Sequence, residues 1–225
     1  MKKETIKSYL LTVSSLISIP LLGLIYVYLN HPGPKVHSLV TDLDRQIPFI
    51  KIFVIPYLFW YVFIFIGFLY LAYKNRKLFF QTLLQFNIGR LICYGVYIVY
   101  QTHVPRPQLT GDNWLINLVH FVYRSDEPFN CFPSIHVLTS YLMMKAYLVG
   151  EGIPRIYKVS VTLMSVLIIA STQFIKQHVL LDILGAIVVA EVMTYFMAKL
   201  DKGIFVRHLM PSIQTNRVSG VTKLE

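Results

Sequence analysis

The feature that most constrains this chain is a series of about six apolar stretches, each roughly 20 residues long, at 8–29, 52–73, 78–103, 134–150, 156–176 and 178–200. A bilayer core of about 30 Å takes roughly 20 apolar residues per helix. Lipid offers no water to unpaired backbone groups, so such stretches cross it as α-helices. The sequence therefore predicts an all-α integral membrane bundle of six transmembrane helices. Residues 1–200 would form the membrane domain, and 201–225 a polar, slightly basic and loosely ordered cytoplasmic tail. Composition agrees: 55% of residues are apolar, 14% are charged and the mean hydropathy is +0.57, where a soluble domain carries about 25% charge.

Lys2, Lys3 and Lys7 before the first stretch give it the look of a signal peptide. The run exceeds the usual apolar length, and no small-x-small site precedes the Asn30–Pro34 turn, so it is read as a helix. The net charge of +10 comes from short basic clusters between apolar runs, without the basic aromatic surface that binds nucleic acid. With six spans and both ends cytoplasmic, fourteen Lys and Arg residues fall on inner segments and six on outer ones, as the positive-inside rule requires. Cys93, in an apolar run, and Cys131, in a polar loop, show neither disulfide nor zinc spacing.

This topology sets three polar pieces on the outer side: Arg106-Pro107 after the third span, Pro133-Ser134-Ile135-His136 at the fourth, and His178 with Asp182 at the sixth. His178 and Asp182, four apart on a helix, share a face. The carboxylate can hold one imidazole nitrogen while the other points at a substrate, the base-and-orienter half of a nucleophilic dyad. Arg106, Lys176 and Ser134 supply cationic and hydroxyl donors for a phosphoryl group, and the start of the fourth span adds backbone amides. His136 is then placed to protonate a departing alkoxide. No carboxylate cluster suited to Mg²⁺ accompanies these residues, so the expected reaction uses no metal and no cofactor.

These residues resemble the type-2 phosphatidic acid phosphatase superfamily of membrane lipid phosphatases and phosphotransferases. Its pattern is Lys-x6-Arg-Pro, Pro-Ser-Gly-His and Ser-Arg-x5-His-x3-Asp. Arg106-Pro107, then Pro133, Ser134 and His136, then Ser171, His178 and Asp182 match it. The resemblance implies a phosphohistidine on His178, held by Asp182, with His136 as proton donor and Arg106, Ser134 and Ser171 as phosphate ligands. The chain departs from the pattern at Val99, Ile135 and Thr172, where the family has Lys, Gly and Arg. Lys176 is the expected substitute for one missing cation. Lys176-Gln177-His178 and Cys131-Phe132-Pro133-Ser134-Ile135-His136-Val137 resemble the branch containing inositol phosphorylceramide synthase and its bacterial relatives, so a bacterial plasma membrane is expected.

The reaction expected is hydrolysis of a lipid phosphate or diphosphate, such as phosphatidic acid, phosphatidylglycerol phosphate or a polyprenyl diphosphate. Transfer of a phosphorylated head group to a lipid alcohol is the alternative, and a non-catalytic lipid-phosphate transporter the second. The expected partners are the lipid substrate and the bilayer, and the oligomeric state is left open.

Other residues receive plainer readings. Ser171 is as well explained by bonding to its own preceding turn. Arg90 and Glu191 fall at similar depths, about 24 Å below Arg106 and about 20 Å below His178, which predicts a buried pair. Phe59-Trp60-Tyr61, Tyr94 and Tyr97 read as packing and interface aromatics. The stretch Leu115–Val122, behind Trp114, reads as an amphipathic surface helix. Asp42, Asp44 and Asp126 read as outer-loop acids, the first two as solvated.

Overall fold

The first apolar stretch forms two helices, α1 (Lys3–Ser14) and α2 (Ser18–Leu29), separated by a 3₁₀ turn at Ser15–Ile17 in this computed structural model, which describes residues 3–208. Pro20 lacks an N–H and its ring crowds the carbonyl four residues back. The hydroxyls of Ser14, Ser15 and Ser18 bond to carbonyls of the preceding turn, at Leu11, Thr12 and Ser15. Among the described residues, four further helices are long and apolar enough to span: Lys51–Lys74, Arg76–Val99, Arg155–Phe174 and Leu180–Lys199. They belong to α4 (Val54–Lys74) with the 3₁₀ turn before it, α5 (Arg76–Val99), α8 (Arg155–Phe174) and α9 (Leu180–His208).

The stretch expected at 134–150 is helix α7 (Ile135–Val149), whose 15 residues reach about 22 Å, less than a bilayer core. Pro133 and Gly150 bound it, and Ser134 caps it by accepting the Val137 N–H at 3.3 Å. The third stretch, expected to 103, stops as helix at Val99, because Thr102–His103 (β2) pairs in parallel with His37–Ser38 (β1). This two-residue ribbon is a small addition to an otherwise helical chain. Helix α9 continues through 201–208, the beginning of the expected tail, and 209–225 lie outside the described residues.

Helices α4, α5, α7, α8 and α9 pack around a core that includes Phe68, Phe79, Phe86, Leu138, Leu142, Met143 and Ile168, all essentially without exposure. The outward faces are equally apolar: Leu24, Leu163, Val166, Leu184 and Val188 are more than half exposed. A belt that is apolar both inside and out belongs in lipid rather than water. At the site end, α3 (Asp42–Gln46) and α6 (Trp114–Ser125) lie in the long connections. Helix α6 is amphipathic as expected, burying Ile116, Val119 and Val122, the last two in a cluster with Val54, Tyr57 and Ile175.

The expected Arg90–Glu191 pair does not form. Arg90 turns toward the first span, where Nη1 donates to the Ile19 carbonyl at 2.7 Å and Nε to the Tyr94 hydroxyl at 3.2 Å. Its guanidinium passes beside Gly23, where an added Cβ would sit at an ordinary contact distance of 3.7 Å. Glu191 faces α7 instead, bonded to Lys145 at 2.6 Å and Tyr141 at 2.5 Å. Equal depth had suggested the pair, but azimuth around each helix decided the partners.

Candidate active site

The connection between α8 and α9 is built to present His178. Lys176 takes a left-handed backbone conformation, and the N–H groups of Gln177 and His178 both donate to the Thr172 carbonyl, closing α8. Helix α9 then starts with its amides satisfied by two carboxylates. Asp182 Oδ2 accepts the Val179 N–H at 3.0 Å, and Asp44 Oδ1 accepts the Leu180 N–H at 2.8 Å. Asp182 is fully buried, and the same Oδ2 lies 3.2 Å from His178 Nδ1. An ionised carboxylate only accepts, so Nδ1 carries the proton and Nε2 keeps its lone pair.

The second piece is fixed against the first. The Ser134 N–H donates to the Asp182 carbonyl at 3.3 Å, joining the start of α7 to the first turn of α9. The Tyr97 hydroxyl donates to the Pro133 carbonyl at 2.6 Å, and the Phe132 N–H to Thr102 Oγ1 at 2.9 Å. Gly185 lets the Phe132 ring lie against α9, where a Cβ would meet it at 2.4 Å. These ties bring the His136 ring to 6.1 Å from the His178 ring. Tyr57 stacks on His136 at 4.5 Å and Trp60 packs against it, tilted by 51°, at 4.4 Å, while the buried Nε2 of His136 has no hydrogen-bond partner. Trp60, read as an interface aromatic, thus orients a site residue.

Two cavities meet at His178. One, about 330 Å³, is lined by Arg106, Lys176, Asp44 and Gln173. The other, about 400 Å³, is lined by His136, Tyr26, Trp60, Tyr97, Arg90 and Asp126. Arg106 lies over the Tyr123 ring at 4.3 Å and donates to the carbonyls of Tyr123 and Asp126 and to the Gln177 side chain. Its Nε remains unbonded. Lys176 reaches the same cavity, with Nζ donating to the carbonyls of Asp44 and Ile47. Burial lowers its pKa and the Asp44 charge only partly offsets this.

The two serines stand behind the site. Ser134 is the α7 cap, Ser171 Oγ donates to the Ile168 carbonyl at 2.6 Å, and neither lines either cavity. Val99, where the family pattern has lysine, faces outward and is 81% exposed.

Three residues gained importance over their sequence reading. Asp44 is buried rather than solvated, and forms a reciprocal cap with Thr41 besides holding Leu180. Burial alone raises its pKa. Hydrogen bonds from the Thr41 hydroxyl and the Leu180 and Thr41 amides, with the Lys176 charge, outweigh that and hold it below the ordinary value. Its neighbour Asp42 is solvated as expected. Asp126 carries hydrogen bonds from the Tyr26 hydroxyl at 2.6 Å, Asn30 Nδ2 at 2.9 Å and the Tyr57 hydroxyl at 3.3 Å. Cys131 is buried, and one ligating atom from each of Cys131, His178 and Asp182 lies within 4.8 Å of the others. Burial first, then the Asp182 and Asp126 charges, push its thiol well above the ordinary pKa. These residues come from loops and different helices, so no spacing rule signalled them. Comparison with known protein families, characterised proteins and solved structures returned no match.

Proposed function

We propose that this chain is a six-span membrane enzyme that attacks a lipid phosphate or diphosphate through His178. The observation that carries the reading is that His178, oriented by a fully buried carboxylate, stands where a cavity bearing Arg106 and Lys176 meets one bearing His136. The cationic cavity suits the phosphoryl group. The His136 cavity suits the alcohol side of the ester. Helix α7 is counted as the sixth crossing, its short length made up by the Phe132–Ser134 segment at one end. The basic residues then favour cytoplasmic termini and an outward-facing site.

In the reaction His178 Nε2 forms a bond to phosphorus while the bond from phosphorus to the ester oxygen breaks. A proton on His136 passes to the departing oxygen, and Asp182 stabilises the positive charge that develops on His178. Water, deprotonated by His136, then attacks the phosphohistidine and releases phosphate. The resemblance of these residues to the type-2 phosphatidic acid phosphatase pattern supports the same roles.

Transfer to a lipid alcohol is the second reading, favoured by Asp126. Its carboxylate lines the His136 cavity with three neutral donors already on it, and it retains lone pairs for an acceptor hydroxyl. Purified protein in detergent with EDTA should release phosphate from at least one of a panel of lipid phosphates, and His178→Ala should abolish release. Activity that survives His178→Ala would overturn the proposal. A ³²P label retained on His178 separates an enzyme from a carrier, and an added alcohol that lowers free phosphate separates transfer from hydrolysis.

A further inference from the structure

The nucleophile has a third neighbour that neither reading uses. Cys131 approaches His178 and Asp182 from the loop before α7, and all three side chains are buried. Their ligating atoms lie within 4.8 Å of one another. A tetrahedral zinc with bonds of about 2.0–2.3 Å holds its ligands roughly 3.3–3.8 Å apart, so small side-chain rotations close the set. A second observation points to a ligand: Asp182 Oδ1 is buried and has no hydrogen-bond partner, whereas Oδ2 is fully used. A buried carboxylate oxygen without a partner is uncommon and marks a place where a proton donor or cation fits. His178 lines both cavities, which gives an ion a route in.

We infer that Cys131, His178 and Asp182 form a binding site for a soft divalent metal ion, Zn²⁺ being the best match, and that occupation of this site blocks the nucleophile. One thiol, one imidazole and one carboxylate form a donor set that suits zinc and disfavours Mg²⁺ or Ca²⁺, which take oxygen ligands. On binding, the Cys131 S–H bond breaks, a Zn–S bond forms and one proton leaves to solvent. A His178 ring nitrogen and Asp182 each donate a lone pair, water fills the fourth position, and no electrons are transferred. The ion then ties down both members of the His178–Asp182 pair. The block on turnover rests on the function proposed above, whereas metal binding does not.

The test uses the full chain in detergent and the metals alone. Co²⁺, a spectroscopic stand-in for Zn²⁺, should bind once per chain and give a thiolate-to-metal charge-transfer band that Zn²⁺ removes by displacement. With only two cysteines in the chain, the assignment is direct. The band should vanish in Cys131→Ser and Cys131→Ala and persist in Cys93→Ser, with gel filtration showing each variant folded. Absence of the band in the unaltered protein, or its persistence without Cys131, would overturn the site. In the phosphate-release assay, Zn²⁺ should inhibit and EDTA restore. Losing a ligand should raise the half-inhibitory Zn²⁺ concentration by about tenfold or more, measured against the variant's own zinc-free rate. Activation by Zn²⁺, or inhibition unchanged in Cys131→Ser, would overturn the block while leaving the proposed reaction standing.

Discussion

Replacing Asp182 with asparagine separates geometry from charge at the proposed nucleophile. Oδ2 accepts from both Val179 N–H and His178 Nδ1–H, while Oδ1 has no partner. The asparagine carbonyl therefore takes the Oδ2 position, since the reverse placement sets an NH₂ against the Val179 N–H. Both hydrogen bonds and the His178 tautomer survive, and what disappears is the negative charge. At 3.2 Å and an effective dielectric of 20, the attraction between unit charges is about 5 kcal/mol. If that full charge develops on His178 in the transition state, the rate falls by roughly 10³ to 10⁴. The amide now buried at the Oδ1 position lacks acceptors, which costs about 1–3 kcal/mol of stability. Single-turnover phosphate release, with a thermal melt on the same sample, measures both effects. A folded Asp182→Asn protein within tenfold of the original rate would refute the electrostatic role of the carboxylate.

Two further outcomes follow from the packing around the site. Gly185→Ala puts a Cβ 2.4 Å from the Phe132 ring and should cost about 1–3 kcal/mol, with activity falling because Phe132 leads directly into the His136 segment. Phe132→Leu in the same chain should recover part of the melting temperature, and a Gly185→Ala protein as stable as the original would contradict the close packing. Asp44, with its folded pKa depressed, contributes stability that is present above about pH 4, the unfolded value, and is lost as pH falls through the folded one. Acid melts should show this loss, and Asp44→Asn should flatten it; equal slopes for the two proteins would argue against the role.

The His178–Asp182 pair was legible in the chain as a spacing of four, but the expected shared helix face does not form: His178 precedes α9, and Asp182 in its first turn reaches back to the His178 ring and the Val179 N–H. Ser134 and Ser171 were visible as motif positions, but their hydroxyls are taken up by the α7 cap and the Ile168 carbonyl. Lys176 was legible as a nearby cation, though not as one that ties α3 to the site through the carbonyls of Asp44 and Ile47.

By itself the sequence determined that the chain is helical and belongs in a membrane, and where most helices begin and end. Those properties follow from apolar run length, proline and glycine positions and local capping, all of which act over a few residues. Tertiary structure alone decided that Arg90 binds the first span and Glu191 faces α7. It also turned Asp44 from a loop acid into a buried anchor and gave Asp126 three hydrogen-bond donors, packed Trp60 against His136 and brought Cys131 beside His178. Each of these depends on how far every helix is rotated about its axis and on how long connections fold back, and side-chain packing across the whole bundle sets both.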